Sequence, residues 1–261
     1  MLKIGVIGGS GCYDIPGLII TEHKKMTTPF GDPSDTYRFG EISGVKVVFL
    51  PRHGSPHHIP PHQINYRANI WGFKELGVKR VISVNAVGGI RPEMKPGTIV
   101  IPDQIIDMTK RRESTFYDGD DVVHIDFTEP YCDELRESLL KAGKKSEIAL
   151  MKSGTYVCVD GPRLETKAEI IFFKSIGADV VGMTVMPEAS LSREGELCFA
   201  CVAVVTNYAA GITEKRLTTT EVIEMMKRVS GHVSGLLKET FHLISDKRGC
   251  ACKDALREAR M

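Results

Sequence analysis

Residues 1–11, MLKIGVIGGSG, pass from a short apolar run, Ile4 to Ile7, directly into a glycine turn at Gly8 to Gly11. The same change occurs twice more: Val47 to Leu50 runs into Pro51, Arg52, His53 and Gly54, and Val81 to Val84 runs into NAVGG at 85–89. Short continuous apolar runs rich in Val and Ile predict strands covered on both faces. Each ends where backbone can approach a ligand closely, and strand ends of this kind form the ligand crevices of α/β sheets.

Working outward, Thr98 to Ile101, Tyr156 to Val159 and Phe199 to Thr206 also predict strands. Helices are expected over Pro61 to Leu76, Glu134 to Ala142, Thr166 to Ile176 and Thr219 to Ser245. In the last, Val222, Met226, Val229, Val233 and Leu237 repeat at spacings of four and three, and Thr218 with Glu221 forms a capping box. This order predicts a three-layer single-domain α/β fold over residues 1–261 with a central sheet. About 246–261 is polar and is expected to be a C-terminal tail or arm, solvated rather than packed.

The 261 residues carry a formal charge of +1, with 42% hydrophobic and 26% charged residues. That composition is globular, and the near-zero charge provides no global field for nucleic acid. The first apolar run is too short for a secretory signal, and no stretch approaches a membrane span. A soluble, cytoplasmic protein with no membrane partner is therefore expected. The seven cysteines include CFAC at 198–201 and CAC at 250–252. Cys198 and Cys201 lie three apart on a strand and point to opposite faces, so they cannot share a metal. Buried free thiols are expected, with disulfides second unless the source is hyperthermophilic.

The turn at Gly8 to Gly11 exposes N–H groups and the Ser10 hydroxyl, as an anion site requires. It lacks the GxGxxG spacing of a dinucleotide fold and the Lys of a phosphate P-loop. Arg52 offers a bidentate fork to phosphate, and His53 can add a donor. His53, His57, His58 and His62 do not share one helical face, and no acidic ligand lies among them, so no metal is expected there. Three strand ends, two with anion donors, suggest one phosphate pocket; three unrelated turns fit the same spacing. Glu165 and Asn207, in GPRLET (161–166) and TNYAAG (206–211), read on their own as helix-start or turn residues.

Taken in order, IGGSG, PRHG, PPHQINYRAN, NAVGG, TFYDG, GPRLET, GMTVMPE and TNYAAG resemble the signature segments of the trimer-type purine nucleoside and methylthioadenosine phosphorylases across nearly the whole chain. The resemblance implies a distorted mixed sheet, no metal or organic cofactor, inorganic phosphate as co-substrate, and assembly as a homotrimer or dimer of trimers. It places phosphate against Ser10, Arg52, His53, Asn85, the Ala86 backbone and Thr184. Ser10 and Asn85 depart from the Thr often found at both places. Met183 would lie under the sugar, Thr219 at its 5′ end, and His124 and Phe127 would reach a neighbouring subunit's site.

Base choice is implied by three departures. The methylthioadenosine branch typically has Ser in place of Glu165 and Asp in place of Asn207 and Ala209. A carboxylate at 165 accepts from the N1–H of hypoxanthine or guanine but repels adenine N1, and Asn207 can donate to O6 or N7. The resemblance thus implies phosphorolysis of 6-oxopurine nucleosides: inosine, guanosine or methylthioinosine. The rival readings are a methylthioadenosine phosphorylase, a noncatalytic purine-sensing protein and, on the opening turn alone, a dehydrogenase.

Overall fold

The middle strand of the sheet has different neighbours at its two ends, and that change creates the site. In the computed structural model, which describes residues 2–214 and 216–261, the chain begins with β1 (Lys3–Gly8), β2 (Ile19–Lys24), β3 (Tyr37–Ile42) and β4 (Val45–Pro51). Then come α1 (Tyr66–Glu75), β5 (Arg80–Gly89), β6 (Ile99–Val100), β7 (Gln104–Asp107) and α2 (Asp133–Lys145). After these follow β8 (Leu150–Met151), β9 (Thr155–Cys158), α3 (Lys167–Ser175), β10 (Val180–Gly182), α4 (Val185–Glu194), β11 (Cys198–Tyr208) and α5 (Thr219–Leu243). Among the described residues the strands form one 11-stranded mixed sheet, with β2-β3-β4-β1-β5-β10-β9-β7 along one path and β11, β6 and β8 branching from β5.

One edge of β5 pairs in parallel with β1 from Arg80 to Val84, then antiparallel with β10 at Gly88 and Gly89. Its other edge pairs with β11 along its length, with a register shift between Val205 and Asn207. On the first edge Asn85, Ala86 and Val87 therefore face a gap between the end of β1 and the end of β10. This is the distortion that the resemblance implied.

Helices cover both faces. α2 and α5 lie over Ile4, Val6, Ile82 and Val202, while α1 and α4 lie over Ile7, Val81, Phe199 and Cys201. Cys198 and Cys201 do face opposite cores. α5 buries Met226, Val229, Val233, Leu236, Leu237 and Phe241, each contributing about 1.5–3 kcal/mol of apolar transfer. α3 forms a smaller third cluster with Ile90, Val157, Val181 and Ala209.

Several expected boundaries move. Pro61 to Leu76 is not one helix: a single 3-10 turn, Pro61–Gln63, precedes α1 because Asn65 caps it, accepting from the Ala68 N–H at 3.0 Å and donating to the Phe30 carbonyl at 2.6 Å. Thr218 accepts from the Glu221 N–H at 3.3 Å, one of the two bonds of the expected capping box. The tail is not solvated. Cys252 and Ala259 are buried, and residues 259–261 hydrogen-bond along Val122 to His124. Its polar composition hides this, because the contacts are made largely by backbone and by two small side chains.

Replacing Asn65 by Ala removes both bonds and should lower the unfolding free energy in urea by about 1–2 kcal/mol. Thr218→Ala should cost less, about 0.5 kcal/mol, because its single long bond is at an exposed helix end. Equal losses would contradict this account of how α1 starts.

Candidate active site

Strands that are otherwise buried open at a few positions, and those positions adjoin. Ala86 and Gly88, two apart on β5, are half-exposed between buried neighbours. Asn207, opposite Gly88 in the ladder, is half-exposed at the end of a strand buried from Cys198 to Thr206. Ser10 and Met183, beyond the ends of β1 and β10, are half-exposed too. These residues surround the gap beside β5, which forms the candidate crevice.

Beneath it lies a polar network. Arg52 is 1% exposed. Its Nε and Nη2 donate to the two oxygens of Glu188 at 2.5 and 3.1 Å, Nη2 donates to Ser83 Oγ at 2.6 Å, and Nη1 donates to the Val84 carbonyl at 3.1 Å. Four of five guanidinium N–H groups are thus engaged, so the bidentate fork expected for phosphate is directed at Glu188 instead. One Nη1 N–H is left. Burial opposes the charge on Arg52, but Glu188 outweighs it and holds the pKa above that of an ordinary arginine. Gly9 fits this arrangement because a Cβ there would lie 2.5 Å from Arg52 Nη1 and 2.7 Å from the Val84 carbonyl.

Ser83 Oγ lies 2.6 Å from Asn85 Oδ1 and 2.8 Å from Glu188 Oε2, and Asn85 Nδ2 donates to Thr184 Oγ1 at 2.8 Å. Thr184 stands at the start of α4 but makes no capping bond, so its hydroxyl proton is free to turn toward an anion. His53 Nδ1 lies 2.8 Å from the Ile59 carbonyl and must carry the proton there. Burial first, and Arg52 second, push its pKa down to about 3. His53 is then neutral with a bare Nε2, so toward the crevice it offers an acceptor rather than the donor expected from the sequence.

At the other end, Thr206 donates to Asn207 Oδ1 at 2.8 Å and Asn207 Nδ2 donates to the Tyr208 carbonyl at 2.9 Å, leaving one amide N–H for a ligand. Ala209 is buried, with its N–H on the Gly89 carbonyl at 2.8 Å. Glu165 is not the cap of α3; Thr166 and Glu169 form that capping box. Burial raises the Glu165 pKa, with Glu169 adding to the effect. Lys167 packs against Gly211, so the start of α3 adjoins the end of β11. Gly161, at φ +63°, passes against the Met183 sulfur.

His124, Phe127 and Thr219 are not brought into this group. His124 is exposed, its N–H bonded to the Ala259 carbonyl; Phe127 packs on the core, and Thr219 is exposed at the first turn of α5. Two cavities, one between Cys12 and α5 and one between Lys167 and Ala210, do not reach Arg52 or Asn85.

The sequence profile described as the Phosphorylase superfamily matches residues 3–242. The chain belongs to the phosphorylase superfamily. Within that superfamily it is 52% identical to a Thermodesulfovibrio yellowstonii protein named a probable S-methyl-5′-thioinosine phosphorylase, over 99% of this chain and 97% of that one. It is 50% identical to the 6-oxopurine nucleoside phosphorylase of Pyrococcus furiosus and 47% to the S-methyl-5′-thioadenosine phosphorylase of Thermofilum pendens, with at least 98% of each chain covered. The methylthioadenosine phosphorylase of Schistosoma mansoni, solved with adenine, superposes with a TM-score of 0.95 at 33% identity, covering 100% of this chain and 99% of that one.

The fold of this chain also uses residues that the sequence alone does not single out. Glu188 stands in a motif already noted, GMTVMPE, but a lone Glu in a helix gives no sign of its buried partner. Ser83 lies inside the apolar run Val81 to Val84 and reads as one more strand residue. Arg112, 4% exposed in its side chain, donates to the carbonyls of Met183, Met186, Val159 and Asp160, tying the ends of β9 and β10 together.

Glu188→Gln should lower the urea unfolding free energy by about 3–5 kcal/mol, since it leaves a buried guanidinium without its counter-charge. Glu113→Gln, at the exposed end of the Arg67–Glu113 pair, should cost less than about 1 kcal/mol. Equal costs would mean that Arg52 is not held by charge.

Proposed function

We propose that the protein catalyses phosphorolysis of 6-oxopurine nucleosides, inosine, guanosine or 5′-methylthioinosine, giving the free purine and a ribose 1-phosphate. The observation that carries the base assignment is the pair Glu165 and Asn207. The capping box relieves Glu165 of a structural role, and the internal bonds of Asn207 leave one amide N–H unspent. A hypoxanthine base would donate N1–H to Glu165 and receive the Asn207 N–H at N7 or O6. Adenine N1 is an acceptor and would face the Glu165 carboxylate unfavourably.

The reaction follows from charge. Cleavage of the C1′–N9 bond leaves positive character on the ribose and negative character on the leaving purine. Phosphate, held by Ser10, Thr184, the Ala86 backbone, His53 and the remaining Arg52 N–H, stabilises the first and attacks C1′. Asn207 stabilises the second. Phosphate is a co-substrate in this scheme, with no metal or organic cofactor in the chemistry. Met183 supports the sugar, and Ala209 lies at the base without the carboxylate that the methylthioadenosine branch typically has there.

Self-association belongs to the same reading. Ile171 and Phe172 on α3 are 70% and 51% exposed, with Leu164 and Ile176 nearby in sequence, an apolar surface suited to burial in a homotrimer or dimer of trimers. His124 and Phe127 would then serve a neighbouring subunit's crevice, and Thr219 the 5′ end of the sugar.

Relative kcat/KM values on inosine, methylthioinosine and methylthioadenosine test the base assignment. The hypoxanthine substrates should lead, and Glu165→Ser with Asn207→Asp should shift the ratio toward adenine by about 10–100-fold per site. Because burial raises the Glu165 pKa, inosine activity should fall on acidification at a pH above the ordinary carboxylate range, and Glu165→Gln should lose that limb. A wild-type preference for methylthioadenosine would contradict the assignment and leave phosphorolysis standing.

A further inference from the structure

We infer that Cys132, Cys198, Cys250 and Cys252 form a tetrathiolate site for a borderline-soft divalent metal, with zinc the natural occupant. The four come from three distant parts of the chain. Cys132 precedes α2, Cys198 opens β11, and Cys250 and Cys252 lie in the tail at a 3-10 turn, Ala251–Asp254. Their sulfurs all lie within 4.8 Å of one another, and Cys198 and Cys250 are 3.4 Å apart. A tetrahedron of Zn–S bonds of about 2.3 Å has edges of about 3.8 Å, so a small adjustment of side chains would close the four donors on one centre. Disulfides join thiols two by two and do not require two pairs to meet at a point.

The surroundings also suit such a centre. Cys132, Cys198 and Cys252 are buried and Cys250 is half-buried, which describes a closed structural site rather than an open catalytic one. Four thiolates around a divalent ion leave two net negative charges, and a buried cation stands alongside. Arg80 is the cross-strand partner of Cys198, so both side chains leave the sheet on the same face. Its guanidinium donates from Nη2 to the Lys247 carbonyl at 2.9 Å, while Nη1 is buried with no hydrogen-bond partner among the described residues. A thiolate beside it would supply both acceptor and counter-charge.

The approach of the tail is fixed by other bonds. Arg248 donates to the Glu196 carbonyl at 2.6 Å, the Gly249 N–H to Glu134 Oε1 at 2.7 Å, and the Cys132 N–H to the Phe199 carbonyl at 2.8 Å. The metal would clasp the tail to the starts of β11 and α2. Through the pairing of residues 259–261 with Val122 to His124, it would also steady the segment carrying His124. The expectation of no metal rested on Cys198 with Cys201, on the histidines of 53–62 and on the family resemblance; none of these foreshadows three partners brought to Cys198 by the fold.

The test uses the full-length protein, reduced, stripped of metal with a chelator and titrated anaerobically with Co²⁺. About one cobalt per chain should bind with the intense visible and thiolate charge-transfer absorption of a tetrahedral all-sulfur site, and Zn²⁺ should displace it. Cys250→Ser and Cys252→Ser should each abolish that absorption, while Cys201→Ser, which alters a buried thiol on the other face, should retain it. Wild-type titration decides the matter even if a tail variant folds poorly. A reduced wild-type chain that takes up no cobalt, including one isolated with these thiols paired as disulfides, would overturn the inference. So would tail variants whose cobalt spectra match that of the wild type.

Discussion

A guanidinium and a carboxylate, Arg52 and Glu188, meet out of water at the centre of the molecule, and the geometry of the crevice depends on their contact. Arg52 follows β4, Glu188 lies in α4, and Ser83 of β5 bonds to both. Three elements that do not adjoin in sequence are fixed together where the β5 edge is vacated by β1 and not yet taken by β10. A buried pair of this kind is weak evidence for stability, since desolvation offsets much of the Coulomb attraction. Its value here is positional: it orients Ser83, which orients Asn85, which orients Thr184.

The same pair sets the electrostatics of the anion end. Glu188 offsets much of the Arg52 charge, and His53 is neutral, so the pocket is not a concentration of free cations. In the proposed reaction phosphate would instead meet hydroxyl and backbone donors at the ends of β1, β5 and β10, with one guanidinium N–H behind them. Preorganised dipoles of this sort need no reorganisation when charge shifts between phosphate, ribose and base. At the base end, Asn207 is oriented by Thr206 and Tyr208, so its remaining N–H is also directed before a ligand arrives.

The sequence made the central strands legible because β1, β4, β5 and β11 are buried on both faces and therefore continuously apolar. The edge strand β2 is exposed at every residue and lacks that signal, and β10 is only three residues long. α4 is not legible in the sequence because Pro187 stands inside it and Met186 and Pro187 have non-helical backbone angles. Ser10, Arg52 and His53 stand out because each follows an apolar run in a turn, whereas Asn85 and Thr184 are named only by the family resemblance. Glu188, Ser83 and Arg112 could not, since their roles depend on partners far away in sequence. The tail is illegible for the same reason: its composition is polar, but its anchors include backbone bonds, small buried side chains and side chains such as Arg248 and Glu134 whose partners are far away in sequence.

In the proposed reaction the gap beside β5 holds phosphate so that it becomes the new partner of C1′. ³¹P NMR of the protein with inosine and inorganic phosphate reads this directly. The account predicts a ribose 1-phosphate resonance that grows in step with released hypoxanthine as the phosphate signal declines. Release of hypoxanthine with free ribose and an unchanged phosphate signal would contradict it, since water rather than phosphate would then be the group that the crevice delivers.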